Sequence, residues 1–261
     1  MQITRRTKFL IFTIVYIFGA VTFLYTSLNK SIYILGFCLL IFCLNLLALY
    51  PGYRVKDLFF ISFEPLVITI STLYGLTFFP NLNLFFKLAL IMVSGLMLYI
   101  STLTNNLTIA EKVEESSVPL FRVGLLWTQI LLIIQSIPLV TVVYKLDYYF
   151  FIQSLILLFY FFLASISYLN TFLLTRKEDI IDRKEYWLLV AQMVFFPVVG
   201  SLATAFISTE SFLRATFVTS IFMGLVGYTR NYLENSITKR MVFQYSLIFL
   251  FFLIVLLLFR S

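Results

Sequence analysis

Nine apolar runs, each separated from the next by a short polar connection, dominate the sequence. They extend over Phe9–Thr26, Ile32–Tyr50, Leu58–Phe79, Leu84–Leu103, Val123–Val143, Tyr148–Leu174, Trp187–Ser208, Ala215–Tyr228 and Val242–Phe259. Hydrocarbon offers no water to backbone N–H and C=O groups, so a run of this kind must close its hydrogen bonds within itself, as a helix does. About 20 residues of helix suffice to cross a ~30 Å hydrocarbon core. Some runs are rich enough in Phe and Ile to imitate buried strands, but their length favours helices. The reading is an all-α, polytopic transmembrane helical bundle that occupies residues 1–261 as a single domain. The eighth run is the shortest, because Arg230 follows soon after Tyr228, and it predicts a short or tilted span.

Charge supplies orientation. Of the 19 basic residues, only Lys30, Lys87, Lys145, Arg214 and Arg260 fall on one side when the runs are threaded alternately through a bilayer, one at each external site. The others cluster around Arg5, Arg54, Arg122, Arg176 and Lys239, on the side that holds the N-terminus. Positive charge is retained in the cytoplasm, so the N-terminus is predicted inside and the C-terminus outside. Trp127 and Trp187 fall near predicted cytoplasmic boundaries, where interfacial aromatics belong. The first run follows Arg5, Arg6 and Lys8 like a signal peptide, but it lacks a small-residue cleavage site and reads as a retained span. The expected location is the plasma or inner membrane.

The remaining composition excludes several chemistries. With 61% hydrophobic and 12% charged residues the chain is far too apolar for a soluble fold. The net charge of +7 is scattered over loops, not gathered into a stripe with interleaved aromatics, so nucleic acid is not an expected partner. The absence of histidine removes Ser-His-Asp and Cys-His nucleophiles and histidine-ligated zinc or haem. Cys38 and Cys43 are five apart in one run and face different ways on a helix, so neither a disulfide nor a redox or zinc motif follows. No cofactor is expected.

Polar side chains inside the runs are the candidates for function. Glu64-Pro65 puts a carboxyl about 9 Å inside the third span at 1.5 Å per residue, where a charge is expensive and must be neutral, paired or wetted. Pro65 has no N–H, so it frees a carbonyl one turn earlier. Asn45, Gln129, Asn170 and Gln192 lie at a similar depth from the predicted cytoplasmic ends. If these faces converge, they form a cytoplasm-open pocket with Glu64 as its acid, suited to proton coupling or to a cationic or hydroxyl-rich group. The competing reading is that the amides are interhelical hydrogen-bonding glue. Lys87 and Arg122 read as headgroup anchors near opposite boundaries. Pro197, with Gly200, Ser201 and Ala203 close behind, and Pro65 are candidate hinges, although close helix packing produces the same pattern.

The long connections are all on the predicted inside. Thr104–Arg122 carries Glu111, Glu114 and Glu115 and reads as a short surface helix ended by Pro119. A soluble protein partner is expected to meet this cytoplasmic face. Asp179 and Asp182 stand one helical turn apart in the next inner connection, a thin likeness to the metal-diphosphate motifs of membrane prenyltransferases. Arg183 and Lys184 interleave with them as in a solvated loop, so no metal site is expected.

Three stretches carry a family resemblance: Leu103-Thr-Asn-Asn-Leu leading to Pro119-Leu-Phe-Arg122, the span that begins at Trp187, and Gly227-Tyr-Thr-Arg-Asn-Tyr232-Leu with Lys239-Arg240. In these the chain resembles a group of uncharacterised multi-pass membrane proteins of candidate-phylum bacteria. The resemblance implies a bacterial inner-membrane protein and carries over no activity and no catalytic residue. Three functions stay open: a small-molecule or lipid-handling, transporter-like bundle around Glu64, a non-catalytic accessory or assembly subunit of a membrane complex, and a lipid-modifying enzyme.

Overall fold

The computed structural model describes residues 5–26, 29–50, 58–114, 119–173 and 181–259; side chains are described for these except at 58–59, 111–114 and 119–122. Among the described residues the fold is all-α, with nine helices and no strand. They are α1 (Arg5–Tyr25), α2 (Lys30–Leu49), α3 (Leu58–Phe78), α4 (Leu84–Glu114), α5 (Pro119–Lys145), α6 (Phe150–Leu173), α7 (Arg183–Thr204), α8 (Ser211–Leu233) and α9 (Lys239–Leu258). Each contains a stretch long and apolar enough to cross a membrane. The chain is a multi-pass membrane protein.

Three boundaries differ from the sequence reading, each for a local reason. The fourth helix does not stop at Leu103 but continues unbroken through Asn105, Asn106 and Glu111 to Glu114, so the expected separate surface helix is the end of α4. At 1.5 Å per residue its 31 residues measure about 46 Å, well beyond the ~30 Å hydrocarbon core. Pro119 does not end a helix but begins α5, because its absent N–H costs nothing in the first turn and its fixed φ suits helix entry. The eighth helix is of full length. Arg230 stays within it, bridged to Glu234 one turn on at 3.2 Å, and the helix ends at Leu233. Asn235 adopts φ 50, its N–H donates to the Tyr232 carbonyl, and the Ser236 N–H donates to the Asn231 carbonyl at 2.9 Å. That pair of bonds around a left-handed residue is a Schellman closure.

The chain divides into two compact units, Met1–Gln135 with Asn170–Thr175, and Ser136–Leu169 with Arg176–Ser261. In the first unit α1 packs on α2 and α4, and α3 packs on α2 and α4, so the four helices close a ring. Its interior is drawn from all four, with Phe12, Tyr16, Phe23, Phe37, Ile41, Ile68, Leu73, Ile91 and Leu98 buried together. On α1 the buried positions Phe9, Phe12, Thr13, Tyr16, Ala20 and Phe23 repeat at three and four residues, one face of a helix. Gly95 permits the approach of α1 to α4, because a Cβ there would stand 2.7 Å from Ile17 Cγ1. Hydrogen bonds tie the same helices at two levels, from Tyr16 Oη to Ser94 Oγ at 3.1 Å and from Arg5 Nη1 to Asn106 Oδ1 at 3.2 Å.

In the second unit α8 lies between α7 and α9. Phe161 of α6 packs on Phe222 of α8, with ring centroids 4.8 Å apart. Gly200 is a contact point between α7 and α8, since a Cβ there would meet Ile221 Cδ1 at 2.5 Å. On α9 Leu256 is the one buried residue, and Phe243, Leu247, Leu250, Phe251 and Ile254 are exposed, a surface suited to acyl chains.

Candidate functional site

The polar centre of the first unit is organised by a missing proton. In a continuous helix the N–H of residue 65 would donate to the carbonyl of Ile61, four residues earlier. Pro65 supplies no N–H, yet α3 runs through it uninterrupted from Leu58 to Phe78. The Ile61 carbonyl is instead taken by two side chains from the neighbouring helices, Asn45 Nδ2 of α2 at 3.1 Å and Asn105 Nδ2 of α4 at 2.9 Å. Two carboxamides thus satisfy a carbonyl that would otherwise be buried without a donor.

Glu64 occupies the next position on this face. It is 3% exposed, and its Oε2 accepts a hydrogen bond from Ser101 Oγ of α4 at 2.8 Å. Ser101 and Asn105 are four residues apart and so project from one face of α4. They meet Glu64 and Ile61, three apart on α3, in antiparallel register. No basic side chain pairs with Glu64 among the described residues. Asn45 Oδ1 is buried here and has no partner; Ser62 Oγ is also buried without a partner but, two residues from Glu64, lies on another face of α3. The orientation of the Asn45 amide is fixed by its neighbour, because only the NH2 end can face a carbonyl.

Of the five residues expected at this depth, two come together, Asn45 and Glu64, joined through the turn Ile61–Pro65. Gln129 and Asn170 are half-buried on α5 and α6 and engaged in contacts of their own. Gln192 is half-buried on α7, in the second unit. Ser101 and Asn105 are the members that the sequence reading missed. Asn105 was hidden by the placement of a span boundary at Leu103, whereas the i,i+4 spacing of Ser101 and Asn105 was a usable signal once α4 was extended.

The other candidates have structural roles. Lys87 donates to the Pro80 carbonyl at 2.7 Å, so it closes the α3–α4 connection as well as standing near a boundary. The side chain of Arg122 lies outside the described residues. Pro197 and Gly200 sit within an unbroken α7, with Gly200 against Ile221. Asp179 lies outside the described residues, and Asp182 is the N-cap of α7, where a negative charge suits the helix dipole. Among the described residues no group of three or more Cys, Asp or Glu side chains has the arrangement of a metal site. Cys38 and Cys43 are free thiols.

Compared with protein-family models, curated proteins and solved structures, the chain matches none.

Proposed function

We propose that this membrane protein is a transporter-like bundle in which Glu64 is the side chain that exchanges a proton or binds a cationic group. The observation that carries the reading is the environment of the Glu64 carboxyl, buried at membrane depth with one hydroxyl donor, Ser101, and no cation beside it among the described residues. A carboxyl held only for structure would be expected to have a basic partner or a full set of donors, because an under-solvated charge costs several kcal/mol in hydrocarbon by the usual estimates. The unpartnered Asn45 Oδ1 adds an acceptor beside the Ile61 carbonyl. With the Glu64 carboxyl it offers an incoming ammonium or hydroxyl group more than one partner. The charge pattern favours the cytoplasm for this end of the first unit, so exchange with the inner side is the expected route.

Dicyclohexylcarbodiimide tests it, since the reagent modifies protonated carboxyls in apolar surroundings. Full-length protein in lipid nanodiscs is expected to gain one adduct, mapped by peptide mass to Glu64, suppressed at alkaline pH and absent from Glu64→Gln. An unlabelled Glu64, or an adduct of equal yield in Glu64→Gln, overturns the proposal.

A second reading is favoured by a different feature. α4 extends past the hydrocarbon and carries Glu111 and Glu114 along its end, a projection that a non-catalytic subunit would use to meet a basic partner. Stoichiometric copurification of one partner, lost when both glutamates are replaced by glutamine, would favour it.

A further inference from the structure

A second polar cluster stands at the other end of the hydropathy pattern, in the second unit, where α5 and α7 finish and α6 and α8 begin. Its cation is Arg214, in the first turns of α8. The guanidinium carbon lies 4.3 Å from the centre of the Tyr144 ring, near the end of α5. Stacking over a ring uses the flat face of a guanidinium and leaves its in-plane N–H edges open. Arg214 Nε is buried and has no acceptor, and no carboxylate pairs with Arg214 among the described residues. Glu210, the nearest acid in sequence, is the exposed N-cap of α8.

Other buried polar atoms share this end of the unit. The Tyr144 side chain is 7% exposed, and its hydroxyl has no hydrogen-bond partner. The hydroxyls of Ser201 and Thr204 in α7 lie near it but are engaged elsewhere, Ser201 Oγ with Ser154 Oγ at 3.2 Å and Thr204 Oγ1 donating to the Ser201 carbonyl at 2.9 Å. Thr209, in the connection that leads into α8, also has a buried hydroxyl with no partner. Gln153 braces the rim, its Nε2 donating to the Leu146 carbonyl at 2.8 Å. Burying a polar atom unpaired is costly, and three are found here on residues brought to one end of one unit. All three can donate, and what they lack is an acceptor. A planar guanidinium fork flanked by hydroxyls suits a tetrahedral or planar oxyanion, which accepts two parallel bonds from arginine and more from the hydroxyls.

We infer that Arg214 and Tyr144, with the hydroxyl of Thr209 at the same end of the unit, form a binding site for a phosphate group. Arg214 is four residues from the N-cap of α8, about 6 Å along the axis at 1.5 Å per residue, which is headgroup depth in a bilayer. A phosphate reaches this depth either on a phospholipid or as the anionic part of a soluble ligand, and the chemistry is the same. The site is independent of Glu64, and its test reads binding alone.

The test uses full-length protein, delipidated in neutral detergent, titrated separately with short-chain phosphatidylglycerol and with inorganic phosphate, with bound ligand read by native mass spectrometry and stability by thermal unfolding. Saturable one-to-one binding of phosphatidylglycerol but not of phosphate assigns a lipid site; saturable binding of phosphate as well assigns a soluble phosphate ligand. Arg214→Gln is expected to weaken either by ~10-fold or more, the scale of one charge-assisted bidentate contact. Arg214→Lys keeps the charge and loses the fork, and is expected to fall between. Tyr144→Phe keeps the stack and removes the hydroxyl, and is expected to weaken binding several-fold. It also covers the case in which the arginine variants fail to fold. Absence of saturable binding of both probes overturns the inference, as does wild-type affinity in folded Arg214→Gln or, if neither arginine variant folds, in Tyr144→Phe.

Discussion

Replacing Asn45 and Asn105 by leucine, singly and together, tests whether Pro65 is tolerated because two amides stand in for its N–H. Leucine has the branched outline of asparagine and no donor, so the change opens no cavity, and the cost of its greater bulk is common to the backgrounds with Pro65 and with Pro65→Ala and cancels in their comparison. Each single variant leaves the Ile61 carbonyl one donor, at 2.9 Å from Asn105 or 3.1 Å from Asn45. A hydrogen bond between membrane helices is worth about 0.6 kcal/mol on average, so each single loss is expected near that size. Asn45→Leu should fall at the lower end, because it also removes the unpartnered Oδ1. The double variant leaves a buried carbonyl with no donor, which adds about 1–3 kcal/mol and brings the total to about 2–4 kcal/mol. The effects are therefore more than additive. In a Pro65→Ala background the new N–H reaches Ile61, and the double loss is expected to shrink to about 1 kcal/mol. Reversible unfolding in mixed micelles by sodium dodecyl sulfate measures all of these. Strict additivity, with the same double loss whether Pro65 is kept or replaced by alanine, would refute the reasoning.

Other outcomes follow from particular contacts. Gly200→Leu is expected to destabilise the protein by about 1–3 kcal/mol through overpacking against Ile221, whereas Gly36→Leu, where a Cβ meets open space, is expected to change stability little; the same unfolding assay compares them. Asn235→Gly should preserve the closure of α8, while Asn235→Val is expected to cost about 1–2 kcal/mol because its φ of 50 is hostile to a branched side chain. Lys87→Met removes the bond to the Pro80 carbonyl and is expected to raise proteolysis or hydrogen exchange in the α3–α4 connection without lowering global stability by more than about 1 kcal/mol.

The number and class of the helices were legible because hydrocarbon leaves a long apolar run only one way to satisfy its backbone. Termini were less so. Hydropathy ended the fourth and eighth helices at the first polar residues, but Asn105 and Asn106 are engaged by α3 and α1, and Arg230 by Glu234, so the helices continue. Residue counting places Glu64 and Asn45 well inside their helices, and the structure joins them at the Ile61 carbonyl. Rotation was not legible, because the face a polar residue presents depends on which helices become neighbours. Gln129, Asn170 and Gln192 lie at similar counts along their runs, and yet a count says nothing of the company a residue keeps. The freed carbonyl at Ile61 was implied by Pro65 alone, but its acceptance of two amides needed the packing of α2 and α4 on α3. The Arg214 cluster had no local signature at all, since Tyr144 and Arg214 come from different helices.

If all nine apolar helices cross the bilayer, the two ends of the chain lie on opposite sides of it. Reporters fused separately to each end of the chain, one active only in the cytoplasm and one only outside it, test this most directly. The expected result is the N-terminus inside and the C-terminus outside. Both ends on one side would contradict an odd number of crossings.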